Sequence, residues 1–168
     1  VGIALATAHG CDLSSLLPDI TPATLAPAAL AALRGLDANA LPVVPQGRLA
    51  VPWTGMTKFI AIGLNYADHA AESNMPIPKE PIVFMKTVGC AVGAHHAVVL
   101  PQGSVKGDWE VELGIVIGSR ARYVAQADAL AHVWGYGVGL DMTRRDLQGE
   151  MKKLGRPWCI GKAFDETA

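Results

Sequence analysis

Two glutamates, Glu110 and Glu112, have the residue type and spacing of a metal site. They fall in the run Trp109–Gly118, where every second residue is apolar, which predicts a strand. Residues two apart on a strand point to the same face, so the two carboxylates lie side by side. Neighbouring like charges are costly, and a bound cation relieves that cost. Oxygen ligands favour Mg²⁺, Mn²⁺ or Ca²⁺, although for the Glu-x-Glu spacing alone an exposed strand face is the more ordinary interpretation.

A third carboxylate, Asp141, follows the apolar, glycine-rich run Val133–Leu140, which predicts a strand. A helix is predicted directly after it, with Thr143 as its N-cap and Asp146 in its first turn. Ligands collect where strands end before helices, so Asp141 is a candidate ligand-binding residue. An aspartate that only forms a turn would give the same local sequence.

A histidine and a glutamate, His69 and Glu72, lie three residues apart in a short predicted helix that Asn65 would cap. This spacing places them on one helix face. A carboxylate beside an imidazole raises its basicity, which is the arrangement that activates a water molecule. A solvated surface pair is the alternative reading of the same spacing.

Two cations have positions that suit anionic groups. Lys162 stands between Gly161 and Ala163 in a stretch of low charge density, where it could stabilise an oxyanion or enolate. Arg145 is predicted in the first turn of its helix, the end at which the helix dipole disfavours a cation. Alternatively, Lys162 is a surface lysine and the arginine pairs with acidic residues of its own helix.

The charge distribution predicts two regions. Residues 1–57 carry five of the charged side chains and are rich in Ala, Leu and Pro, which predicts a small N-terminal lobe with a helix over 25–33. Residues 58–168 carry the other charges and all the candidate site residues. Strands are also predicted at 58–63, 81–86 and 97–100 in this second region. Together these elements predict an α+β fold.

Composition excludes several classes of protein. The chain of 168 residues has a net charge of −1, which argues against a nucleic-acid-binding face. The charge-free run Thr87–Val105 contains Pro101 and two histidines, which does not fit a membrane span, and the N-terminus lacks a signal-peptide pattern. Three widely spaced cysteines disfavour a disulfide framework and favour a reducing, cytoplasmic setting.

The motifs occur in one order that resembles the fumarylacetoacetate hydrolase family from about Phe59 to the last residue. The segments that carry the resemblance are Gly63–Glu72, Glu80–Pro81, Phe84–Lys86, Asp108–Leu113, Val116–Gly118, Gly135–Tyr136, Asp141–Gln148 and Gly161–Asp165.

The resemblance implies a mixed β-roll or sandwich, a homodimer, and Mg²⁺ or Mn²⁺ held by Glu110, Glu112 and Asp141. It implies that His69 and Glu72 form the water-activating dyad and that Lys162, Gln148 and Arg145 face the oxygens of the substrate. Family members act on β-diketo acids. The run Leu140–Gln148 resembles acylpyruvate and fumarylpyruvate hydrolases, whereas Gly63–Pro81 resembles diketo-deoxy sugar-acid hydrolases.

We therefore expect a metal-dependent hydrolase that cleaves a C–C bond of a 2,4-diketo acid. A decarboxylase or isomerase of hydroxydienedioate-type acids, or a non-catalytic metal-binding fragment, stays open. Members of this family continue beyond the Lys-x-Phe-Asp segment, so we also expect a partial chain that holds residues 58–168 as the first part of the catalytic domain. Such a chain would leave core faces uncovered.

Overall fold

The computed structural model describes residues 2–4, 10–25, 31–45 and 47–168. Within the described residues, the elements with defined bounds are, in chain order, β1 (Gly2–Ala4), β2 (Gly10–Asp12), β3 (Val43–Val44), β4 (Phe59–Gly63), α1 (Ala67–Glu72), β5 (Ile82–Lys86), β6 (Gly107–Asp108), β7 (Val111–Ile117), β8 (Val133–Leu140), β9 (Thr143–Arg144), α2 (Arg145–Lys153) and α3 (Cys159–Lys162). Short 3₁₀ helices span Ala38–Ala40, Val88–Cys90 and Gln126–His132. The part of the chain that the structure describes contains no helix long and apolar enough to cross a membrane.

The chain divides into two compact units, and the first comprises Val1–Met56, Gly93–His95 and Leu113–Gly139. Its three-stranded antiparallel sheet has the order β1-β2-β3. Among the residues of this unit whose burial the structure describes, the buried apolar side chains are Cys11, Leu13, Leu17 and Leu25. The proposed domain boundary after residue 57 stays a prediction.

The second unit comprises Thr57–Val92, His96–Glu112 and Leu140–Ala168. In it β4 pairs with β5 over five residues on each strand, and β6 pairs with β9, both antiparallel. Its buried side chains are mainly polar or charged: Lys86, Asp141, Thr143, Gln148, Lys162 and Thr167. Because buried charges are costly unless they are paired, this interior is organised around ion pairs rather than around apolar packing.

Several element boundaries differ from the sequence predictions. Thr143 is a strand residue of β9, not an N-cap, and α2 begins at Arg145 with no side-chain cap. Helix α1 begins after Tyr66 rather than after Asn65. Residues 97–100 are not a strand. The helix predicted over 25–33 falls mostly outside the described residues.

The apolar face of β7 is open to solvent. Val111, Leu113, Ile115 and Ile117 have exposed fractions of 65%, 54%, 52% and 56%. Tyr136 and Val138 of β8 are also more than half exposed. The alternation predicted for this strand is therefore present, but the described residues do not cover its apolar side.

A glycine sets the distance between α3 and α2. A Cβ built on Gly161 would lie 2.9 Å from the backbone nitrogen of Gln148 and 3.1 Å from the carbonyl oxygen of Arg144. Both are main-chain atoms, which cannot turn aside as a flexible side chain can. Only a residue without a side chain lets α3 pack this closely, and Lys162 is the next residue of that helix.

We predict that Gly161→Ala lowers the free energy of unfolding by about 1–3 kcal/mol, because overpacking forces the two helices apart. Gly149→Ala is the matched control, since a Cβ there has no neighbour within 4 Å. In the interior of α2 that alanine should be neutral or stabilise by up to about 1 kcal/mol. Urea unfolding of both variants measures the difference, and equal midpoints would contradict the packing argument.

Candidate active site

The backbone of the second unit brings Glu110 and Asp141 together. The Asp141 N–H donates to the carbonyl oxygen of Glu110 at 2.8 Å. Next to them, Asp108 on β6 is the register partner of Thr143 on β9. The residues just before β7 and just after β8, Glu110 and Asp141, are thus held side by side by a main-chain hydrogen bond before any side chain contributes.

Lys162 places its ammonium between these two carboxylates. Its Nζ lies 2.5 Å from Oε2 of Glu110 and 2.8 Å from Oδ2 of Asp141. The residue is 2% exposed, and the ring of Phe84 lies 5.4 Å from the ammonium. This burial rules out the alternative that Lys162 is a surface lysine, and its position suits the binding of negative charge.

Arg145 holds the other oxygen of Glu110. One of its terminal nitrogens lies 2.6 Å from Glu110 Oε1 and donates to Gln148 Oε1 at 3.2 Å, while its Nε donates to Asp108 at 2.8 Å. This hydrogen bond from Arg145 is the main cause that holds the pKa of Asp108 below its ordinary value. Both oxygens of Glu110 are thus paired with a cation.

Glu112 completes a group of three neighbouring carboxylates. Burial raises the pKa of Glu112 above its ordinary value, and the charges of Glu110 and Asp141 raise it further. Lys162 and His69 act in the opposite direction. The like-charge crowding that the sequence predicted for Glu110 and Glu112 is therefore present, with Asp141 as the third member.

Helix α1 presents His69 and Glu72 to solvent. His69 is close enough for its charge to act on Glu112. Within the part of the chain that the structure describes, no hydrogen bond joins His69 to Glu72, so their pairing stays a prediction.

The donor set fits a hard divalent cation. Three carboxylates offer only oxygen ligands, and a divalent cation would relieve the repulsion that raises the pKa of Glu112. Within the described residues, no three acidic, histidine or cysteine side chains already surround a common point. The ammonium of Lys162 contacts both Glu110 and Asp141 and supplies positive charge between them.

Two residues of this cluster were not among the sequence-predicted site residues. Asp108 pairs with Arg145, and Lys86 at the end of β5 is 3% exposed and contacts Asp141. The available signal for Lys86 was a lysine that ends an apolar run, Ile82–Met85, in a strand. A charged residue at that position must find partners in the interior, but the sequence does not say which.

Comparison with known proteins defines the class. Residues 58–168 match the family described as "Fumarylacetoacetate (FAA) hydrolase C-terminal". The chain belongs to the fumarylacetoacetate hydrolase family.

Named relatives agree with this assignment. A 2,4-didehydro-3-deoxy-L-rhamnonate hydrolase from Sphingomonas sp. is 46% identical over 155 residues, which are 92% of this chain and 52% of that protein. The chain spans about half the length of the curated relatives that it matches.

Two solved structures share the fold. A fumarylpyruvate hydrolase from Pseudomonas aeruginosa, in complex with Mn²⁺ and pyruvate, superposes with a TM-score of 0.62 at 36% identity, covering 74% of this chain and 58% of that one. A fumarylacetoacetate hydrolase from Exiguobacterium antarcticum gives a TM-score of 0.72 at 28% identity, covering 99% of this chain and 58% of that one. These two matches confirm the prediction of a fold that mixes helices and strands as in the fumarylacetoacetate hydrolase family.

Proposed function

We propose that the protein is a metal-dependent hydrolase that cleaves a C–C bond of a 2,4-diketo acid of the acylpyruvate type. The observation that carries the proposal is the cluster in which the buried Lys162 lies between the half-buried Glu110 and the buried Asp141, with Glu112 beside them. A solved relative that holds Mn²⁺ and pyruvate supports the proposal, as does a relative named for a 2,4-didehydro-3-deoxy sugar acid.

The metal would be Mg²⁺ or Mn²⁺, held by Glu110, Glu112 and Asp141. When bound, such a cation polarises the carbonyls of the substrate as a Lewis acid. Oxygen ligands of a 2-keto acid suit the same hard cations that carboxylates bind.

Side chains of this protein would carry out the proton transfer, the stabilisation of the enolate and the binding of the substrate. His69, with Glu72 as its partner, takes a proton from water, and the water oxygen bonds to the carbonyl carbon remote from the carboxylate. The C–C bond then breaks, and its electron pair leaves as the enolate of a 2-keto acid. The ammonium of Lys162 stabilises that negative charge, and the enolate takes up a proton to give the second acid. Arg145 and Gln148 would bind oxygens of the substrate and orient it.

The proposal extends to the setting of the enzyme. All three cysteines are free thiols, which agrees with the reducing, cytoplasmic compartment predicted from their spacing. The partner implied by the family resemblance is a second copy of the chain, as a homodimer. Small diketo acids are the only other partners that we propose.

A substrate panel tests the reaction. The protein is incubated with acetylpyruvate and larger acylpyruvates with Mg²⁺ or Mn²⁺, and loss of the enol absorbance is followed. We expect turnover that stops when the metal is chelated, with two acids as products. Carbon dioxide as a product would indicate a decarboxylase instead. Tight metal binding without turnover of any diketo acid would contradict the proposed hydrolase.

A further inference from the structure

Lys86 has three defined partners, and each of them is an oxygen atom of another part of the second unit. Its Nζ lies 2.5 Å from Oδ1 of Asp141, and it donates to the carbonyl oxygens of Lys162 at 2.6 Å and of Thr167 at 3.3 Å. A lysine ammonium has three N–H donors, and these three oxygens use all of them. Lys86 therefore has no donor left to offer to a substrate.

The two lysines consequently have different roles. Lys162 directs its ammonium at the side chains of Glu110 and Asp141, at the centre of the carboxylate cluster. Lys86 binds one carboxylate oxygen and two main-chain oxygens, which fixes it in place. Asp141 receives one ammonium on each of its oxygens, so its carboxylate plane is set by both lysines together.

Lys86 also joins three separate parts of the chain at one nitrogen: the residue after β8, the end of α3, and the segment that contains Thr167. Thr167 is fully buried, and its carbonyl also accepts the N–H of Met142 at 2.8 Å. The position of Asp141 relative to Lys162 is therefore set through main-chain contacts as well as through the direct ion pair.

We propose that Lys86 is a positioning residue: by binding Asp141, Lys162 and Thr167 at once, it orients the Asp141 carboxylate for a divalent cation. This rests on the proposed function, because it assumes that Asp141 is a metal ligand. A residue that orients a metal ligand through a hydrogen bond typically changes metal affinity by about 10–100-fold when it is removed.

The direction in which Mn²⁺ affinity changes distinguishes a positioning role of Lys86 from a purely electrostatic effect of its charge. Lys86→Met has a similar length but removes one positive charge near the site. If charge alone mattered, Mn²⁺ would bind the variant more tightly, because a repulsive charge is gone. If Lys86 orients Asp141, Mn²⁺ should bind about 10–100-fold more weakly despite the lost repulsion.

The experiment measures Mn²⁺ affinity by titration calorimetry, with the fold checked by circular dichroism and urea unfolding. Lys58→Met is the matched control. Lys58 lies exposed just before β4, and the substitution removes the same positive charge at a position outside the cluster. We expect wild-type affinity for that control. Lys86→Arg keeps the charge but has a planar donor fork that does not match three oxygens around one nitrogen, so it should not restore affinity.

Each possible result of this experiment either supports or contradicts the positioning role of Lys86. Mn²⁺ affinity of Lys86→Met equal to or tighter than that of Lys58→Met would overturn the positioning role, even if Lys86→Met unfolds more easily. Should Lys86→Met not fold, wild-type Mn²⁺ affinity in Lys86→Arg would overturn it equally. If the wild-type protein itself binds no Mn²⁺, the proposed metal-dependent function fails as well, which distinguishes the two failures.

Discussion

Replacing Glu110 by glutamine is expected to abolish Mn²⁺ binding and to lower turnover of a diketo acid by more than about 100-fold, beyond the loss typical of a residue that only supports a metal ligand. The amide has nearly the same shape as the carboxylate, so packing is preserved. The charge that faces Lys162 at 2.5 Å and Arg145 at 2.6 Å is lost. In the glutamine an NH₂ group replaces one of the two carboxylate oxygens, and this hydrogen-bond donor then faces Lys162 or Arg145, which are donors themselves.

The measurements are Mn²⁺ affinity by calorimetry and the rate of acetylpyruvate hydrolysis. Glu150→Gln is the matched control, because Glu150 lies exposed on α2 outside the carboxylate cluster. Mn²⁺ binding by Glu110→Gln as tight as that by Glu150→Gln would show that Glu110 is not a ligand. The role of Glu110 as a partner of two cations would then be structural only.

His69→Ala is expected to separate metal binding from catalysis. His69 lies on α1, outside the three carboxylates, so the variant should bind Mn²⁺ with little change. Hydrolysis should fall by about 10²–10⁴-fold, which is the usual contribution of a positioned general base.

Asp68→Ala is the control for this variant, since Asp68 lies on the same helix and is also exposed. It should keep both metal affinity and turnover close to wild type. Full hydrolysis of acetylpyruvate by His69→Ala would contradict the dyad, and a loss of Mn²⁺ affinity would place His69 among the ligands instead. Measuring kcat and Mn²⁺ affinity on the same samples separates these outcomes.

Elements built on local patterns were predicted well. The bounds of β8, Val133–Leu140, agree with the predicted run, and β7 lies within Trp109–Gly118. These strands follow from apolar runs and a period of two, which any short window of sequence contains.

Predictions failed where a distant partner decides the local structure. Thr143 has the residue type of an N-cap, yet it lies in β9 because its backbone pairs with Asp108, 35 positions earlier in the numbering. A cap preference of about 1 kcal/mol does not outweigh a strand pairing that also fixes Asp141 beside Glu110. Residues 97–100 show the opposite outcome: they include the β-branched pair Val98 and Val99, yet they pair as a strand with none of the described residues.

The sequence by itself predicted which chemical groups the candidate site contains: Glu110 and Glu112 on one strand face, Asp141 after an apolar strand, and a family order of motifs from about Phe59 onward. The tertiary structure alone decided how those groups are paired. Lys162 meets Glu110 across 52 positions of sequence, and Lys86 meets Asp141 across 55. Spacing rules extend only a few residues along a helix or strand, so contacts of this range follow from how the elements pack. For this reason Lys86 has no recognisable role in the sequence and a defined one in the fold.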